Sequence, residues 1–233
     1  MRSVFNFFRS GNQLSKDACI GEGTIVGKDI LIEGTVVIGQ KCRIGRNVII
    51  KGNVNIGDGT VIGYNVTINE YMKGKVLIGN KTTIQKNVDL GGNITIGDEC
   101  VVASNTLLKT MPEGQILIGK DVLINSFTII GAGKLVEIKD HCIFAAYVQI
   151  LDSSHTYDNV DVPIKHSRTI VEATCIEEDV WLGSGVVVLM GCTIGKGSVI
   201  GAKSLITKNI PPYSIAYGTP AIVQGSRNLK EKE

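Results

Sequence analysis

Three histidines and six cysteines are the side chains to question first in this chain of 233 residues. Cys19, Cys42, Cys100, Cys142, Cys175 and Cys192 form no CxxC pair, and none has a histidine at zinc-site spacing. His141, His155 and His166 are fourteen and eleven residues apart, unlike a three-histidine zinc set. No metal is therefore expected, and the cysteines read as small reduced thiols of a cytoplasmic protein. Imidazole remains, and its unperturbed pKa of about 6.5 suits it to take a proton near neutral pH. His155 stands in ILDSSHTYDN and His166 in PIKHSR, whereas His141 lies in IKDHCIF. His141 is expected to face solvent without a role, and His166 to be a loop residue.

The elements that must position these groups come from a repeat of six residues. Ile20, Val26, Ile32, Ile38, Ile44, Ile50, Ile56, Ile62 and Ile68 follow one another at that spacing without a break. The series resumes at Ile78 to Leu108, at Ile118 to Ile130, at Ile138 to Ile150 and at Ile176 to Ile206. Neither a 3.6-residue helix nor an alternating strand gives this period. Short strands joined by sharp corners do. Each hexad aims one large aliphatic side chain inward. A smaller one follows four residues later, as at Thr24, Val36, Cys42, Val48, Thr60, Val66, Val88, Cys100, Cys142, Cys192 and Ser198. Four cysteines thus fall on interior positions.

The five blocks hold nine, six, three, three and six hexads, all multiples of three. Three hexads make one turn of a triangular prism, so nine coils are expected. Whole turns in every block would make all four insertions leave the prism at one corner. Glu33, Lys51 and Asn69, on every third hexad where the others carry Gly, mark the same phase. His155 closes the hexad that begins at Ile150 and so stands at the mouth of the longest insertion, 151–175.

Composition agrees with a solenoid and excludes other classes. Lys plus Arg number 24 against 22 Asp plus Glu, too balanced for a dedicated nucleic-acid binder. With 43% hydrophobic and only 20% charged residues, global disorder is excluded. Only 5% is aromatic, so aliphatic side chains must fill the core. No apolar run is long enough to span a membrane, and MRSVFNFFRSGNQ lacks the pattern of a signal peptide. The division expected is an N-terminal cap at 1–19, a repeat domain at 20–223 and a tail at 224–233. VFNFF at 4–8 either covers the first coil or anchors the chain to a membrane surface.

The repeat resembles the left-handed parallel β-helix of the hexapeptide-repeat acyltransferases over residues 20–223. The left hand is carried over from that family, since parallel crossovers are otherwise right-handed. The resemblance is most specific in DVWLGSGVVVLMGCTIGKGSVIGAKSLITKNIPPYSIAYGTPA, residues 179–221, which is similar to the last coils of the maltose, galactoside and polysaccharide acetyltransferases. It implies acetyl-CoA as cosubstrate, a homotrimer with sites between subunits, and His155 as general base. Asp152 either orients that imidazole or is a turn residue of DSS. The resemblance further implies an oxyanion donor in the Ser184 N–H, flanked by Gly183 and Gly185. Trp181 lies beside the pantetheine arm, or packs between coils and loop. Ala202 bonds pantetheine, and Thr207 and Lys208 stand near the nucleotide, with Lys203 close by position. Asn125 matches a residue that binds the acceptor sugar.

The function expected is O-acetylation of a sugar hydroxyl, in a surface polysaccharide or its precursor, in the cytoplasm. N-acetylation of an amino-sugar nucleotide would use the same donor groove and base. A non-catalytic solenoid scaffold is the other class, but its outer faces would be flat and repetitive, and those here are irregular.

Overall fold

Two or three residues of strand and a corner use up one hexad, and the chain winds this unit around a triangular prism. The computed structural model describes residues 11–69 and 74–227. Three sheets form the sides. Sheet I runs from Gln13–Leu14 to Leu205–Ile206 in ten strands. Sheet II runs from Cys19–Ile20 to Thr193–Ile194 in nine, and sheet III from Ile25–Val26 to Ala221–Ser226 in eleven. Within each sheet the coils pair in parallel, with partners eighteen residues apart where nothing is inserted, as in Leu31, Ile49 and Thr67. Each coil so satisfies the backbone of the next.

The inward residues form one column. Ile32, Ile38, Ile44, Ile50, Ile56, Ile62 and Ile68 are each no more than 3% exposed, and the smaller inward residues from Val36 to Ser198 are as well buried. Most of the polar ones among them sit at the corner between sheets II and III and are satisfied there. Thr60 Oγ1 donates to the Gly79 carbonyl at 2.8 Å, and Cys42 and Cys100 donate to Gly57 and Gly119 at 3.1 and 3.0 Å. Hydroxyl and thiol are interchangeable there because each carries one hydrogen towards a corner carbonyl. All six cysteines are free thiols: four buried, Cys175 half-buried and Cys19 exposed.

The stack is longer than the nine coils expected. Leu14, six residues before Ile20, already pairs with Ile32. After Ile206 the register shortens to four, so that Ile210 bridges Ile194, and Ala216 follows six later beside Ile200. Ser214–Gly218 then turns back antiparallel on Ala221–Ser226 and closes the lower end. The one-corner expectation holds. Every insertion joins a strand of sheet I to the next of sheet II: after Asn69, Thr110, Ala132 and Leu151. Glu33 and Lys51 lie on that edge and pair at 2.8 Å. VFNFF and the tail from residue 228 lie outside the described residues. Among the described residues no helix is long and apolar enough to cross a membrane.

Candidate active site

The edge between sheets I and II carries the histidine. Ser153–His155 pairs antiparallel with Thr169–Val171, setting His155 opposite Thr169 on a hairpin that stands off the prism. Its ring is exposed and makes no hydrogen bond among the described residues. His166 ends the short 3-10 turn Ile164–His166 in the same insertion. Asp152 roots this hairpin. Its carboxylate is fully buried and accepts the N–H groups of Gly133, Lys134 and Leu135, the last two at 2.8 and 2.7 Å. It makes no hydrogen bond to His155, so the geometry gives it the turn rather than the imidazole.

The edge between sheets III and I carries the other candidates. Trp181 is 51% exposed on the outer face of sheet III. Ser184 follows at the corner, its Oγ donating to the Ala146 carbonyl at 2.9 Å. One coil below, Lys203 N–H donates to the Ser184 carbonyl at 2.8 Å, which places Ala202 and Lys203 directly under Ser184 and Gly185. A Cβ on Gly183 would sit 2.6 Å from the Ala202 nitrogen, so the glycine is needed for the approach of these two coils. Among the described residues the N–H groups of Ser184 and Ala202 have no acceptor. Lys203 and Lys208 have no carboxylate partner there. Asn125 lies on the same edge two coils above Gly183, its Oδ1 accepting the Ser126 N–H at 2.8 Å.

Sequence reasoning overlooked a feature of this edge. Asp29 has positive φ here, and so do all the later corner residues through Lys203, each of whose N–H groups donates to a carbonyl one coil above. In chain order they are Asn47, Asn65, Asn87, Asn105, Phe127, Tyr147, Gly185 and Lys203. Asn tolerates that conformation, whereas for most L-residues it costs about 1–2 kcal/mol. Phe127 and Tyr147 accept this strain, and their rings stack with centroids 4.9 Å apart and planes 5° from parallel. The signal was present in the sequence: Phe and Tyr fall where four earlier coils carry Asn.

Gly183, Ser184, Ala202, Lys203 and Asn125 are thus brought to one edge. Thr207 and Lys208 are not. They are exposed at the far end of the strand Leu205–Ile206, on the edge of His155. His155 and Ser184 stand on different edges of the same chain. Arg227 is held by Asp179 and the Gly197 carbonyl, each at 2.9 Å. Among the described residues no three His, Cys, Asp or Glu side chains converge as a metal set would.

The model of the bacterial transferase hexapeptide (six repeats) matches residues 35–70, 75–110 and 176–208. Over those repeats the chain is similar to the hexapeptide-repeat acyltransferases. It is 40% identical over 100 residues to a galactoside O-acetyltransferase of Lactococcus lactis, covering 41% of this chain and 48% of that protein. It is 59% identical over 90 residues to a putative acetyltransferase of Schizosaccharomyces pombe, covering 37% and 41%. The matches span less than half the length of these relatives. An Arabidopsis UDP-N-acetylglucosamine acyltransferase superposes on 93% of this chain and 73% of its own, at 17% identity and a TM-score of 0.64. That likeness concerns the fold, a left-handed parallel β-helix.

Proposed function

We propose that this chain transfers an acetyl group from acetyl-CoA to a sugar hydroxyl, in a trimer whose sites lie between two copies. The observation that carries this reading is the division of labour between edges. One edge holds an exposed imidazole on a rooted hairpin. Another holds unpartnered N–H groups at a corner beside an exposed Trp181. Set edge to edge, two copies bring base and donors together, which one chain does not.

Acetyl-CoA supplies the acyl group in activated form, as its thioester. Neutral His155 accepts the acceptor's hydroxyl proton as that oxygen attacks the carbonyl. The Ser184 N–H donates to the carbonyl oxygen as negative charge collects there. His155 then gives its proton to the departing sulfur. The Ala202 N–H bonds the pantetheine arm, and Trp181 lies along it. Lys203, Thr207 and Lys208 take the nucleotide and its phosphates, for which unpaired ammonium groups are suited. Asn125 holds the acceptor. The acceptor proposed is a surface polysaccharide or its precursor, made in the cytoplasm where acetyl-CoA is found.

The test is His155→Ala, assayed with acetyl-CoA and sugar acceptors. Loss of a general base should lower kcat by roughly 10²–10⁴-fold while acetyl-CoA still binds. Turnover like the wild type from an intact oligomer would refute the base. Transfer to amines alone would replace the hydroxyl acceptor by an amino sugar.

A further inference from the structure

The roles given above leave Phe127 and Tyr147 unused, yet these two break the rule of their own edge. Four coils above them set Asn at the left-handed corner and bond it to the next Asn, at 2.9, 3.1 and 2.9 Å along Asn47, Asn65, Asn87 and Asn105. The next two coils carry the aromatic residues, with φ of 62° and 65°. The rings stay 46% and 55% exposed, so the strain is not repaid by burial. Corners with positive φ recur along the whole stack, but elsewhere on this edge they carry Asp, Asn, Gly or Lys, so the exposed ring pair is what sets these two coils apart.

The geometry defines a slot. One face of Tyr147 is covered by Phe127. The opposite face looks down the edge to the adjacent coil, where Gly185 has no side chain; its N–H donates to the Ala146 carbonyl at 2.9 Å. Lys203 forms the floor, since a Cβ on Gly185 would come 3.1 Å from its Cδ. Ser184, whose N–H has no acceptor among the described residues, is the residue before Gly185.

We propose that Tyr147, stiffened by Phe127, is the platform on which the acceptor's pyranose ring stacks, with the gap at Gly185 giving that ring its room. The placement next to the thioester rests on the acyl-transfer reading; the stacking itself does not. A pyranose presents a face of C–H bonds carrying partial positive charge, which the negative face of an aromatic ring attracts. The surroundings suit a ring bearing hydroxyls better than an apolar side chain of a second copy. The Lys203 ammonium borders the slot, 3.4 Å from where a Cβ on Gly185 would stand, with the Ser184 N–H on the neighbouring residue, and such polar groups fix orientation in sugar-sized sites.

The test is saturation-transfer NMR on the whole chain with methyl β-D-glucopyranoside and methyl β-D-galactopyranoside as probes. Tyr147→Asn installs the residue this corner carries elsewhere, so the coil keeps its backbone, and Tyr147→Phe keeps the ring. Transfer to the sugar ring protons is expected in the wild type and in Tyr147→Phe. It should fall roughly fivefold in Tyr147→Asn, the loss expected for one stacking contact. Acetyl-CoA affinity should stay within about twofold, because no donor contact is removed. Equal transfer in all three proteins, or none in the wild type, would overturn the platform. So would signal lost only because Tyr147→Asn falls apart into monomers, which would make the rings a subunit contact. If the platform survives while His155→Ala turns over normally, the acyl-transfer base fails and the sugar site stands.

Discussion

The I–II and III–I edges are turned by the same hexads and are held together in opposite ways. On the III–I edge each corner from Asn47 to Lys203 repeats one left-handed residue whose N–H bonds the coil above, and nothing is inserted between them. On the I–II edge the chain leaves four times, and a buried carboxylate ties down the longest departure. The regular edge is propagated by backbone, so its side chains are free to vary from Asn to Phe, Tyr, Gly and Lys. The irregular edge depends on a particular side chain. A mobile base is suited to the second kind of edge and a fixed ligand track to the first.

Three variants sharpen or break that contrast. Asp152→Ala strips three N–H groups of the 133–135 turn of their acceptor. A loss of about 3 kcal/mol is expected in denaturant unfolding, because buried donors left unmade are expensive. The same substitution should not shift the pH profile of kcat. A shifted profile would mean that Asp152 acts on the imidazole after all. Asn87→Ala breaks two ladder bonds on the regular edge and puts Ala at positive φ, for about 1–2 kcal/mol. A cost equal to that of Asp152→Ala would erase the difference between the edges.

The third edge offers the smallest effect. Burial pushes the Cys100 thiol up to about 11 and the Cys142 thiol up to about 12, from an ordinary 9.0. A raised folded value favours the neutral thiol in the native state. Stability from this source is therefore complete below pH 9.0 and lost as pH climbs through 11 to 12. Cys100→Val with Cys142→Val should flatten the alkaline limb of a stability–pH curve; an unchanged limb would show that these thiols do not titrate with unfolding.

The period of six isoleucines and the block lengths carried the prism, and the multiples of three carried the single exit edge. The extra layers escaped because the step from Ile206 to Ile210 is four residues and Ala216 is too small to announce a coil. Site residues came from the resemblance, not from the period. The separation of His155 from Ser184 was nevertheless countable, since the hexads of Ile150 and Leu182 fall on different sides of the prism. What no hexad count could supply was the hydrogen bonding of Asp152, because the N–H groups it holds lie seventeen to nineteen residues away in sequence.

The central claim is that base and donor site belong to different chains, and mixing two dead variants tests it most directly. His155→Ala lacks the base, and Ala202→Tyr fills the exposed donor groove; each should be inactive alone. In randomly reassorted trimers about a quarter of the sites would pair an intact His155 with an intact Ala202 from the neighbour, so activity should return to about a quarter of the wild type. Mixed trimers that form and stay inactive would put both residues in one chain's site, and the account would be wrong.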